Sequence, residues 1–141
     1  MSVEENKAIA RRYWEESWNT GNLASLEEIF APDHLFHTGA GQVVRGTQER
    51  GMMRFRTAFP DLHFVIEDVF AEGDKVVVRW TAHGTHRGDI QLVQNIPATG
   101  KQVTWLGMDI YHLTGGKIME TWRSWDRLGL LQQLSVVPAS A

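Results

Sequence analysis

The segment from Trp105 to Asp126 constrains the fold more than any other part of the sequence. Two runs of strand-forming residues flank the tetrapeptide Thr114-Gly115-Gly116-Lys117. Both central residues of a type I′ turn need positive φ, so the glycine pair predicts a two-residue β-hairpin turn. Thr114 would then face Lys117, and the pairing of the two strands follows from that contact.

This predicted pairing places carboxylates and aromatic rings on one face of the hairpin, because side chains alternate along a strand. The pairs on that face would be Leu113 with Ile118, Tyr111 with Glu120, Asp109 with Trp122, Gly107 with Ser124 and Trp105 with Asp126. Desolvation on an apolar surface raises the pKa of a carboxyl group, which is how proteins obtain carboxylic acids and bases that work near neutral pH. The face is therefore interpreted as the wall of a buried pocket. A solvated sheet face with scattered aromatic residues is the simpler alternative.

Composition and charge exclude several classes of protein. The net charge is −3 and the basic residues are scattered, so we expect neither nucleic acid nor membrane as a partner. No apolar run approaches the roughly 18 residues of a membrane-spanning helix, and the charged, amphipathic N-terminus does not resemble a signal peptide. The absence of cysteine excludes disulfides, zinc–thiolate sites and thiol nucleophiles. A cytoplasmic protein is the expectation.

The hydrophobic periodicity predicts helices first and strands afterwards. Helices are expected over residues 3–19, 23–30 and 47–58, the last with Thr47 as its N-cap, and a small hairpin over residues 34–45. Strands follow over residues 62–70 and 75–83, then a long polar loop over residues 84–101, the hairpin, and a short helix over residues 126–134. This order is typical of an α+β domain, and without repeats or a linker we expect residues 1–141 to form one domain.

At this level of detail the chain resembles the SnoaL-like polyketide cyclases, also called SnoaL-like ester cyclases. The resemblance covers nearly the whole chain and rests on four segments: YWEESWNTGNLASLEEIFAPD, Phe59-Pro60-Asp61, Gly84-Thr85-His86 and Pro97-Ala98-Thr99-Gly100. A fifth segment, GKIMETWRSWDRLGLLQQL, is the most specific. The resemblance implies a cone-shaped α+β barrel, in which a curved antiparallel sheet wraps around N-terminal helices and encloses an apolar pocket. This superfamily also includes ketosteroid isomerase and scytalone dehydratase, so the fold alone does not fix the function.

The resemblance also implies a reaction, the intramolecular aldol condensation that closes a ring on a polyketide ester. An acidic residue in the aromatic pocket would act as general acid/base, without metal or organic cofactor. That role carries over first to Asp126, which stands in the matching W-x-x-x-D-x-x-G-L-L stretch, and second to Glu120.

A carbon acid needs a base near its C–H bond and a donor for the enolate oxygen. With Asp126 as base, Asp109, Glu120 or Tyr111 could be that donor in protonated form. Each acid also has a structural interpretation: Asp126 as the N-cap of the last helix, Asp109 as partner of a basic group, and Glu120 as partner of Tyr111. His37 is a further candidate base or orienting group, or a structural histidine.

Aromatic residues are the candidates for substrate binding, because six tryptophans are many for a chain of 141 residues. The residues expected to bind a small hydrophobic molecule are Trp14, Phe59, Trp80, Trp105, Tyr111 and Trp122. The tryptophans are more simply core residues, but their number suggests that part of the core is a cavity. The sequence contains no metal-binding spacing, G-x-S-x-G motif or phosphate loop, so no metal is expected. A homodimer formed through the open sheet is the expected assembly.

Two other functions remain open at this point. The same cone could support hydrolysis or isomerisation, such as epoxide opening by an Asp-Arg-Asp arrangement. The predicted register opposes that, because it places Arg123 on the other strand face from Asp109 and Asp126. The chain could also bind a hydrophobic metabolite without catalysis, which would require pocket shape but no acid with a shifted pKa.

Overall fold

The computed structural model describes residues 2–46 and 49–138, and shows helices packed on a six-stranded sheet. The predicted N-cap Thr47 lies outside the described residues. The helices are α1 (Val3–Arg12), α2 (Ser25–Ile29), α3 (Glu49–Ala58) and α4 (Arg127–Gln133), and a π-helical segment (Tyr13–Trp18) continues α1. None of the described helices is long and apolar enough to cross a membrane.

The six strands of the main sheet lie in the order β2-β1-β8-β7-β4-β3. Their bounds are β1 (Phe30–His37), β2 (Val43–Arg45), β3 (His63–Glu72), β4 (Lys75–Thr85), β7 (Gln102–Thr114) and β8 (Lys117–Trp125). Neighbouring strands are antiparallel except β1 and β8, which are parallel. The predicted curved sheet on helices is thus confirmed, with one parallel pair that the sequence did not predict. The predicted long loop contains a small hairpin of β5 (Ile90–Gln91) and β6 (Asn95–Ile96).

The first helix changes its winding where its aromatic residues begin. Ser2 and Glu5 form a capping box at the start of α1, which satisfies the free N–H groups of its first turn. From Tyr13 the segment is π-helical, and its four buried residues are Tyr13, Trp14, Ser17 and Trp18. These residues form two adjacent pairs four positions apart, so they lie on one side of the segment, where Ser17 contacts Ser25 of α2.

The register of the β7–β8 hairpin differs from the prediction by one residue. The turn forms as expected, with Thr114 facing Lys117 and Leu113 facing Ile118. The register then shifts at a β-bulge around Met119, so that Asp109 faces Arg123 instead of Trp122. The predicted face of every β8 residue beyond the bulge was therefore wrong, because a shift of one residue exchanges the two faces. The observed register pairs Asp109 with a cation, whereas the predicted one leaves a carboxylate unpaired against an indole.

Candidate functional site

Asp109 lies at the centre of a buried polar cluster between the sheet and the π-helical segment. Its side chain is fully buried and forms an ion pair with Arg123, with Nη2 of the arginine 2.8 Å from Oδ2 of the aspartate. Nε of Arg123 donates to both carboxylate oxygens, at 2.9 and 3.1 Å. The Tyr111 hydroxyl donates to Oδ2 at 2.7 Å, and Nε1 of Trp80 donates to Oδ1 at 3.2 Å. These donors occupy the acceptor positions of the carboxylate.

The groups around Asp109 are held in fixed protonation states. Burial, reinforced by the Asp109 charge, raises the pKa of the Tyr111 hydroxyl well above its usual value, so Tyr111 remains a donor. Burial disfavours the charged form of Arg123, but the Asp109 carboxylate outweighs this effect and holds the pKa of Arg123 well above its usual value. Arg123 also donates to the Tyr13 hydroxyl at 3.1 Å and lies over the Phe36 ring. The cluster is therefore an ion pair whose buried hydrogen-bonding groups all have partners, and it holds the π-helical segment against the sheet.

Close packing at Gly107 allows Trp80 to join this cluster. The Trp80 indole lies against Gly107, where a Cβ atom would come within 2.1 Å of the ring. Only glycine therefore allows Trp80 to reach Asp109 across the neighbouring strand.

The position of Arg123 corrects the argument against epoxide opening. Arg123 shares the inner face with Asp109, not the opposite one. The Asp-Arg-Asp arrangement is nevertheless incomplete, because Asp109 is the only carboxylate paired with Arg123 among the described residues.

Asp126 lies at the exposed end of β8, where it caps α4. Its Oδ1 accepts the backbone N–H of Gly129 at 2.8 Å, and its own N–H donates to the Leu106 carbonyl. Asp126 was expected to face Trp105. Its backbone N–H bonds to the Leu106 carbonyl instead, because the bulge shifts the register by one residue. Within residues 2–46 and 49–138, no hydrogen bond is formed by Oδ2 of Asp126, and this oxygen lies against Gly129.

An aromatic cluster includes Trp125, the residue that precedes Asp126 in the chain. Phe55 of α3 packs with ring centroids 5.8 Å from Trp125, 6.0 Å from Trp105 and 6.4 Å from Phe59. Phe55 and Trp125 are half-buried, whereas Phe59 and Trp105 are buried. We call these four residues the entrance cluster, because its two half-buried members, Phe55 and Trp125, connect the buried rings with the protein surface.

Three of the family-like segments meet at the inner end of this cluster. The Asp61 carboxylate accepts the N–H and the hydroxyl of Thr85, and these bonds hold its pKa below the usual value. Gly84 lies against Phe59, and the buried His86 ring packs 5.3 Å from Phe59. Nδ1 of His86 accepts the N–H of Thr99 at 3.2 Å. The Phe-Pro-Asp, Gly-Thr-His and Pro-Ala-Thr-Gly segments therefore have a structural role in fixing Phe59.

Two other candidate catalytic residues lie together on the outer face of the sheet. Nε2 of His37 is 2.5 Å from Oε2 of Glu120, and the His37 ring stacks on Trp122 with centroids 4.9 Å apart. The predicted placement of Glu120 and Trp122 on the inner face was wrong, because the bulge reverses both. The structure thus brings His37 and Glu120 together, but away from Asp109 and Asp126.

The remaining predicted binding residues fill the interior. Trp14, Phe59, Trp80, Trp105 and Tyr111 are each at most 3% exposed. A surface cavity of about 320 Å³ lies elsewhere, between α1 and two hairpin turns, and these residues do not line it. Their role in substrate binding remains a prediction, and the structure shows them as packed core.

Sequence reasoning missed Arg123, Tyr13 and His34. His34 is buried and bridges the Gly46 carbonyl and the Thr121 hydroxyl, at 2.8 Å each. The glycine turn predicts only the first pairs of the hairpin, and it does not predict the bulge that turns Arg123 and Thr121 inward. The available signal was charge: only the shifted register gives Asp109 a basic partner.

Over the part of the chain that the structure describes, no group of three or more histidine, aspartate or glutamate side chains is arranged to hold a metal ion.

Comparison with known proteins gives a consistent family assignment. The sequence profile of the family described as SnoaL-like polyketide cyclase matches residues 8–134. A proposed polyketide cyclase from Acidithiobacillus ferrooxidans is 34% identical, with 96% of this chain and 99% of that chain covered and a TM-score of 0.79. AclR, a proposed hydroxylase from Streptomyces galilaeus, is 26% identical, with 99% and 87% covered and a TM-score of 0.87. IdmH, a proposed polyketide cyclase from Streptomyces antibioticus, is 28% identical, with 92% and 98% covered and a TM-score of 0.77. No curated protein matches the chain significantly.

Proposed function

Because the chain belongs to the SnoaL-like polyketide cyclase family, we propose that it is an enzyme that closes a ring by an intramolecular aldol-type reaction. The substrate is a small hydrophobic carbonyl compound or polyketide-like ester. The reaction proceeds by general acid/base chemistry of side chains and needs no cofactor. We place this activity in the cytoplasm, the compartment that the composition predicts, and fractionation of producing cells would test it.

The placement of Asp126 supports this proposal best. One carboxylate oxygen is fixed by the Gly129 N–H, so the side chain is held in one orientation. The second oxygen forms no hydrogen bond among the described residues, and the neighbouring residue in the chain, Trp125, belongs to the entrance cluster. A positioned carboxylate with a free oxygen can take a proton from an activated C–H bond and return it to the alkoxide. Asp109 is less suited to this role because its acceptor positions are occupied.

The entrance cluster provides the binding surface for the substrate. Its rings offer a flat apolar surface beside Asp126, and offset or tilted aromatic contacts favour flat unsaturated molecules. A substrate ring that packs there would present its acidic C–H bonds to the exposed carboxylate. Binding in this way would restrict bond rotation between the two reacting groups of the substrate, and this restriction favours ring closure.

Substitution of Asp126 tests the proposal. Asp126→Asn preserves shape and capping, since Asn caps a helix about as well as Asp, so stability is expected to change little. Turnover of a polyketide-like keto ester should fall by about 10²- to 10⁴-fold, the usual contribution of a positioned acid/base group. Asp126→Ala should in addition lose roughly 1 kcal/mol of stability with the cap. Glu120→Gln, on the outer face, is the matched control and should retain turnover. Full turnover by Asp126→Asn would reject the proposed role of Asp126.

Binding of a hydrophobic metabolite without turnover is the second candidate function. One observation favours it: the N-cap role accounts for the presence of Asp126 without any catalytic role. A wild-type protein that binds keto esters but leaves them unconverted would support this function and reject the first.

We further propose that the chain forms a homodimer through the outer face of its sheet. A row of mainly apolar residues crosses all six strands of that face, in the cross-strand order Phe70, Val77, Ile110, Trp122, His37 and Val43. Leu106 and Met108 on β7 extend this row and are 57% and 53% exposed. An exposed apolar surface of this extent is typical of an interface, and a second copy would provide the same surface for pairing about a twofold axis.

A further inference from the structure

The π-helical segment contains two buried N–H donors that have no acceptor. Trp14 is 0% and Trp18 is 5% exposed, and Nε1 of each lacks a hydrogen-bond partner among the described residues. Their indoles stack with centroids 6.1 Å apart and planes at 17°. Buried donors without acceptors destabilise a fold, so each such group in a native protein requires an explanation.

The aromatic rings packed against these two indoles provide no acceptor for their N–H groups. Both rings pack on Phe64, with centroids 4.8 Å away, and Trp14 also packs on Trp80. Trp80 shows the contrasting state, because its Nε1 donates to Asp109. Trp14 and Trp18 therefore present two free N–H donors among the described residues, and a bound molecule with acceptors would satisfy them.

The entrance cluster gives a ligand a route to these donors. Phe55 packs against Trp18 with ring centroids 6.5 Å apart, and on its other side it meets Trp125, the neighbour of Asp126. Phe55 is half-buried, so this line of aromatic contacts extends from Trp18 to the protein surface. π-Helical turns are frequent at functional sites, where they reorient side chains at a cost in backbone regularity.

We propose that Trp18 and Trp14 are specificity-determining residues whose indole N–H groups bind carbonyl oxygens of the substrate. This proposal rests on the proposed function and narrows its substrate class to flat apolar molecules with at least two carbonyl oxygens and no donor at the buried end. The first oxygen binds to Trp18, nearest the entrance, and the second to Trp14 behind it. Reactive carbons then remain on the side of Asp126.

A matched pair of probes tests the hydrogen bond separately from the packing. 9-Fluorenone is a flat ketone, and fluorene is its hydrocarbon counterpart with nearly the same shape. We expect the wild-type protein to bind fluorenone roughly tenfold more tightly than fluorene, which corresponds to one buried hydrogen bond. In Trp18→Phe this ratio should approach one, whereas Trp122→Phe on the outer face should leave it unchanged. Comparison of ratios within each variant removes the effect of altered packing.

Indole N–H signals in nitrogen-15 NMR spectra provide the second measurement. On addition of fluorenone, the Trp18 signal should shift downfield as a hydrogen bond forms, while fluorene should cause no such shift. The Trp80 signal is the internal control, since its N–H is already bonded to Asp109. Equal affinities for the two probes in the wild type, or a ratio unaffected by Trp18→Phe, would overturn the proposal. The measurement needs no turnover and should give the same result in Asp126→Asn, so failure of the catalytic proposal is distinguishable from failure of this one.

Discussion

Asp109 shows how one buried charge organises its surroundings. Taking a carboxylate out of water is costly unless it is paired and hydrogen-bonded. Here the ion pair with Arg123 and the hydroxyl of Tyr111 meet that requirement, and Gly107 leaves the space that Trp80 needs to reach the same carboxylate. The result is a closely packed part of the sheet on which the π-helical segment lies.

Removal of the Asp109 charge should therefore be strongly destabilising. Asp109→Asn leaves Arg123 buried without its counter-charge, and we expect the free energy of unfolding to fall by about 3–5 kcal/mol. Urea denaturation measures this directly. Asp68→Asn is the matched control, because Asp68 forms an ion pair with Arg79 that is largely exposed. It should cost at most about 1 kcal/mol. Equal effects of the two substitutions would show that the buried pair contributes no more than a surface one.

At the scale of elements, β8 shows which features the sequence predicts and which it does not. The helices, the Gly115-Gly116 turn and the strand order of the hairpins follow from local patterns, and they were predicted within a few residues. The bulge at Met119 was not, because one extra residue changes no periodicity that a short strand displays. It moved Glu120 and Trp122 outward and Arg123 inward, so most errors about the candidate site have this single cause. Asp126 and Phe59 were predicted as site residues because they belong to recognisable segments.

The pairing of β1 with β8 should depend on pH through His34. Burial lowers the pKa of His34, although its hydrogen bond to the Gly46 carbonyl opposes this. The unfolded chain, with a histidine pKa of about 6.5, therefore binds a proton more readily than the folded chain does. The contribution of His34 to stability is fully present above that pH and is lost as the pH falls below it.

Denaturation of the wild type and of His34→Gln at pH 7.5 and 5.5 tests this expectation. The stability difference between the two proteins should shrink at the lower pH, since the variant has no histidine to protonate at this position. His86, whose pKa burial also lowers, should leave some pH dependence in the variant. A stability difference that is the same at both pH values would show that His34 titrates alike in the folded and unfolded states.

At the scale of the whole molecule, the two faces of the sheet have different roles. The inner face packs on the helices and contains the Asp109 cluster, while the outer face presents a row of apolar residues to solvent. His37, Glu120 and Trp122 belong to that outer row or its border, so a homodimer would bury them at the interface. Their hydrogen bond and ring stack then serve assembly instead of catalysis.

A charge on the outer face should dissociate the proposed dimer. Ile110 is 40% exposed near the middle of the row, and Ile110→Lys places a cation where the second copy would pack. Light scattering after size-exclusion chromatography should show a dimer for the wild type and a monomer for this variant. Leu128→Lys, at an exposed position on α4 away from that face, should remain dimeric. A monomeric wild type at micromolar concentration would contradict the proposed assembly.

Proton removal by Asp126 is tested most directly by hydrogen–deuterium exchange in a substrate. A polyketide-like keto ester is incubated with the protein in D₂O, and deuterium incorporation at the carbon next to its ketone is followed by NMR, whether or not a ring closes. The wild type should accelerate this exchange, and Asp126→Asn should lower the accelerated rate by about 10²- to 10⁴-fold. Equal rates for the wild type and Asp126→Asn would contradict the assignment of Asp126 as the general base.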